Sequence, residues 1–130
     1  MPRIVQFFIL ISISIWITSG CNQQDKRLES LQKFNAESWK NDKSGCKGER
    51  LVLKNELLAI KHKMRGFKTD EIESFLGKPD AQELYNRSQR YYIYFIEPGP
   101  KCAESIENPQ ALFVRFSAVG IANEFVVKPL

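Results

Sequence analysis

Histidine is almost missing from this chain: His62 is the only one in 130 residues. That removes the spaced histidine pair most zinc sites use. Any Ser–His–acid site would have to run through His62, which lies between Lys61 and Lys63 with no G-x-S-x-G elbow anywhere in the chain. Cysteine is scarce as well, with three residues (Cys21, Cys46 and Cys102) and no C-x-x-C, so neither a thiol oxidoreductase nor a zinc ribbon is expected. There is no internal repeat and no long low-complexity tract. The apolar run from Ile4 to Ile17 is shorter than the about 17–25 residues a transmembrane helix needs. Carboxylate pairs exist at Glu71/Glu73 and Glu104/Glu107, and two carboxylates are all a glycosidase requires. At these spacings, however, acidic residues read as solvated charge. The expectation is a protein that is not an enzyme and holds neither cofactor nor metal.

What the chain does have begins at its first residues. Arg3 precedes the apolar run, and Thr18, Ser19 and Gly20 follow it, the layout of a secretory signal peptide. "TSGC", Thr18 to Cys21, resembles the bacterial lipobox, with Thr18 where leucine is usual. The resemblance implies that Cys21 is lipidated and becomes the new N-terminus, so that its acyl chains hold the protein at a membrane. An ordinary signal peptide cut nearby would instead leave Cys21 as a thiol. With Cys21 acylated, Cys46 and Cys102 form an even pair, and the oxidising periplasm should join them. Asn22 is not the aspartate that resembles an inner-membrane retention signal, so the expected location is the outer membrane, facing the periplasm. The expected organisation is a leader over 1–20, a lipidated tether over 21–27 and one domain over 28–130.

The chain carries 19 Lys+Arg against 15 Asp+Glu. Nine of the basic residues fall between Lys40 and Lys68, opposed only by Asp42, Glu49 and Glu56. Outside the cytoplasm nucleic acid is not the expected partner. Such a patch is either a solvated helix face or a surface for anionic lipid or an acidic protein.

Leu28, Leu31 and Phe34 recur at threes and predict a short amphipathic helix reaching to Trp39, itself read as a core anchor. "KNDKSGCKGE" reads as a loop. Leu53, Leu57, Ile60 and Met64 form one helical stripe, ended by Gly66 as a left-handed cap. Thr69 reads as the N-cap of a shorter helix carrying Ile72, Phe75 and Leu76, stopped by Gly77 and Pro79. Asp80 to Gln89 is ambiguous. The period then changes: "RYYIYFIE", "ALFVRFS" and "IANEFVVKP" read as strands, with a turn at Ala118 to Gly120. The expected fold is α+β in two layers, with two or three N-terminal helices packed on a three-stranded antiparallel meander.

"GFKTDEIESFLGKPD" resembles the G-x-T-x-x-x-V-x-x-x-L-G-x-P pattern of the SmpA/OmlA family of small outer-membrane lipoproteins. The match rests on Gly66, Ile72, Leu76, Gly77 and Pro79, with the pattern's threonine falling on Lys68. The strand-like segments are similar to that family's as well, so the resemblance spans about Leu53 to Val127. It implies a helix-then-sheet domain and, because the family includes a subunit of the β-barrel assembly machinery, a role beside that machinery. The same unit resembles domains of secreted β-lactamase inhibitor proteins.

A sheet with helices on one side leaves the other open. Tyr92, Tyr94, Phe113 and Arg115 are the residues expected to bind a protein there. The open alternative is a second core, covered by the loop Pro98 to Pro109 or by a dimer partner. The functional expectation is a lipid-anchored adaptor that binds an envelope protein. The alternative is an inhibitor or immunity-type protein that blocks an envelope enzyme through its sheet face.

Overall fold

A computed structural model describes residues 29–130; the expected leader, the lipidation site Cys21 and the tether lie outside them. The expected single helix up to Trp39 is in fact two pieces. A helical turn covers 29–32, and a separate helix α1 spans Ala36–Asn41. Asn35 causes the break, because its side-chain oxygen accepts the Ser38 N–H at 3.0 Å and takes the backbone out of helical geometry at the cap. The change of direction lets Leu31, Phe34 and Trp39 all enter the core.

Helix α2, Glu49–Ile60, carries the predicted stripe: Leu53, Leu57, Ile60 and, one tight 3-10 turn later, Met64 are all buried. Its N-terminus is capped from a distance. The buried carboxylate of Asp42 accepts the N–H groups of Lys47 (2.7 Å) and Arg50 (2.9 Å), negative charge at the positive end of the helix. Gly66 adopts the expected left-handed conformation at φ 89° and donates its N–H to Ala122. Helix α3 is Thr69–Leu76. Thr69 is its first helical residue rather than the cap; Lys68 holds the cap position, and Glu71 reaches back to accept the Lys68 N–H at 2.7 Å.

Among the described residues the sheet has four strands where three were expected. They are β1 (Ala81–Tyr85), β2 (Gln89–Phe95), β3 (Gln110–Phe116) and β4 (Ala122–Pro129), antiparallel and in sequence order. β1 escaped the sequence reading because it lies at an edge and buries almost nothing, so it shows no alternation of apolar and polar residues. The α+β class holds. The helices pack on the face that carries Tyr92 and Tyr94 of β2, Ile96 just after it, Leu112, Val114 and Phe116 of β3, and Ala122 and Phe125 of β4. Each such Leu, Ile or Phe contributes about 1.5–3 kcal/mol by leaving water.

One buried polar cluster ties the layers together. Arg50 is 1% exposed, so it does not belong to the surface basic patch in which its sequence position placed it. Its guanidinium pairs with Asp80, donates to the carbonyls of Trp39 and Phe95 (3.0 Å each) and lies 5.0 Å over the Trp39 ring. Asp80 in turn accepts the N–H groups of Ser44 (3.0 Å) and Phe95 (2.8 Å). The Asp80 N–H donates to Ile93, which starts the β1–β2 ladder. Cys46 and Cys102 are disulfide-bonded, as expected, with Cα atoms 5.4 Å apart.

Candidate protein-binding surface

The register separates the four residues expected to form one surface. Tyr92 lies opposite Val114 and Tyr94 opposite Leu112, on the face covered by helices, whereas Phe113 and Arg115 lie on the outer face with Tyr91 and Ile93. Tyr92 and Tyr94 are buried struts. The Tyr92 hydroxyl donates to Glu73 and the Tyr94 hydroxyl to the Gly77 carbonyl, both at 2.8 Å, fixing α3 and its exit to the sheet. Burial, joined at both by the Glu73 carboxylate, pushes the two phenols above their ordinary pKa and keeps them protonated donors. The error has one physical cause: alternation says which residues share a face but not which face meets the helices.

The outer face is a small second core in its middle. Ile93, Phe95, Ala111 and Phe113 are buried there, with Ala81 and Tyr91 packed against them. At one end the 98–109 loop lies across Phe95. Gly99 sits so close that a Cβ on it would be 2.7 Å from the ring. The Lys128 ammonium lies 4.5 Å over Phe113. Arg115 faces Glu124 at 2.9 Å without its N–H aimed at the oxygen, so the contact is ionic and, half in water, contributes little. Phe113 and Arg115 therefore share a surface, but Phe113 presents little of itself to it.

What remains open is the β1 edge. From Gln82 to Tyr85 every residue of the strand is exposed. Leu84 is 86% exposed and Tyr85 52%. Tyr85 begins an aromatic row that crosses the outer face: its ring meets Tyr91 edge-on at 5.6 Å, and Tyr91 meets Phe113 at 6.3 Å. Among the described residues β1 pairs with β2 alone, so its other side has no strand partner there. The sequence signal for this strand is Leu84–Tyr85 standing before the short turn at Asn86 to Ser88 and the aromatic β2.

Among the described residues His62 is exposed, no group of three or more His, Cys, Asp or Glu is placed to hold a metal, and no helix is long and apolar enough to cross a membrane. Glu71 and Glu73 serve as a cap and a tyrosine acceptor. The chain matches no protein-family model, no curated protein and no solved structure.

Proposed function

We propose that this chain is a non-enzymatic adaptor, held by lipid on Cys21 at the periplasmic side of a bacterial outer membrane, that binds an envelope protein by strand addition at β1. The observation that carries the reading is the β1 edge, unpaired among the described residues, with Leu84 and Tyr85 exposed beside it. Natural sheets blunt such edges with lysine, proline, bulges or a covering segment. β1 itself contains neither lysine nor proline, and its one charge is Glu83. An incoming strand would gain main-chain hydrogen bonds along β1, and its alternate side chains would meet Tyr85 on one face and Leu84 on the other. The lipobox-like "TSGC" supports the anchor. The SmpA/OmlA-like stretch from Gly66 to Pro79 supports an envelope context beside the barrel-assembly machinery.

Affinity capture from detergent-solubilised envelopes tests this. The double variant Leu84→Lys/Tyr85→Lys should lower recovery of the partner by roughly tenfold or more. The loss of the Tyr85–Tyr91 ring contact and a lysine opposite Arg90 should lower domain stability by about 1–2 kcal/mol, too little to unfold it. Equal recovery by both proteins would remove β1 as the binding edge. The inhibitor reading draws on a different feature, the disulfide-tied 98–109 loop with Ile106 exposed. It requires capture of a soluble enzyme that Ile106→Ser, not the β1 variant, abolishes.

A further inference from the structure

We propose that the cleft between α1, the 43–45 turn, the α3–β1 connection and the disulfide loop binds a small polyanion carrying phosphoryl groups. Its volume is about 590 Å³, within the range of about 300–1,000 Å³ usual for small-molecule sites and too confined for a macromolecular face. Lys40, Lys43, Lys78 and Lys101 all line it, each from a different piece of chain and each exposed. The one carboxylate in the lining is Asp80, already engaged by Arg50. None of the four lysines forms an ion pair among the described residues. Four like charges around one cleft repel each other, and an anion seated among them removes that repulsion.

The backbone under each lysine is fixed before any ligand arrives. The stem of Lys40 lies against Gly77, with its Cγ 3.2 Å from where a Cβ would stand. Lys43 precedes Ser44, whose N–H donates to Asp80 and whose carbonyl accepts from Gly99. Lys78 sits between Gly77 and Pro79, and Lys101 adjoins the disulfide at Cys102. Less ordering is then lost on binding. Phosphoryl groups fit better than carboxylates. Arg50 is buried and engaged, so the cleft offers no free guanidinium fork for bidentate carboxylate recognition, whereas ammonium point charges suit the charge spread over phosphoryl oxygens.

The test is calorimetric titration of the full chain in neutral detergent with sodium tripolyphosphate, followed by sedimentation of full-length Cys21→Ser with phosphatidylcholine vesicles carrying a bisphosphorylated lipid. Saturable binding to tripolyphosphate is expected. Lys43→Gln/Lys101→Gln should weaken it by about tenfold. Lys61→Gln, whose ammonium bonds the Phe125 carbonyl instead of lining the cleft, should change it by less than about twofold. Vesicle binding without tripolyphosphate binding, lost in the same double variant, would support the site and place its phosphoryl groups on a lipid. Binding to neither probe, or equal loss in the Lys61 variant, would overturn the proposal. The outcome is independent of the β1 edge.

Discussion

Asp80→Ala will destabilise the domain by about 3–5 kcal/mol, the cost of leaving a buried charge without its partner. Whole-domain stabilities are about 5–15 kcal/mol, so the variant will be marginal or unfolded. The reason is the number of groups one carboxylate satisfies. It pairs with Arg50, which is wholly inside, and accepts two backbone N–H groups, from Ser44 and Phe95. Alanine leaves the guanidinium with two carbonyls and the Trp39 ring but no counter-charge. Asp80→Asn keeps an acceptor and should cost less, and replacing Arg50 and Asp80 together by apolar residues should recover only part of the loss, because the two amides stay without an acceptor. Urea unfolding of the four proteins checks the order. A loss below about 1 kcal/mol for Asp80→Ala would put the pair among ordinary surface ion pairs. The cluster also bears on the binding edge. Asp80 immediately precedes β1, so a surviving variant should show faster amide exchange from Ala81 to Tyr85 than elsewhere in the sheet.

Removing the disulfide, by Cys46→Ser/Cys102→Ser or by reductant, will lower stability by about 4 kcal/mol, the chain-entropy value for a cross-link of this sequence separation, 56 residues. For a domain of this size that is a fall in Tm on the order of 15–30 °C. The bond joins the turn that leads into α2 to the loop that lies over Phe95. The denatured chain therefore gains the freedom of everything between, including α2, α3, β1 and β2. Thermal unfolding with and without reductant measures it, and a shift of only a few degrees would show that the unfolded chain was not being restrained. Gly45 makes the same junction tight: at φ +67°, a Cβ there would lie 2.8 Å from the Glu97 carbonyl oxygen.

The parts of this fold legible in the sequence are those written as apolar periodicity. The Leu53–Leu57–Ile60–Met64 stripe, the Ile72 and Leu76 face and three of the strands are of that kind, the turn at Gly120 is marked by its glycine, and each is where the residues put it. The disulfide followed from counting cysteines once Cys21 was set aside. What was hidden was polar or exposed. Arg50 and Asp80 are thirty positions apart and look like two more surface charges. β1 has no buried side to advertise it. Assigning Tyr92 and Tyr94 to the outer face required knowing which side the helices take, and that is settled by long-range packing. The candidate binding edge was therefore the least readable part of the chain: Leu84 and Tyr85 are candidates because no described residue buries them.

The adaptor reading is tested most directly by cross-linking in cells. A photoreactive phenylalanine analogue is placed at position 84 of the full chain with Cys21 intact, and separately at position 119, equally exposed at the β3–β4 turn. The account predicts one discrete adduct from position 84 with an envelope protein, reduced in Cys21→Ser and absent from position 119. Adducts of equal strength from both positions, or none from 84, would contradict it.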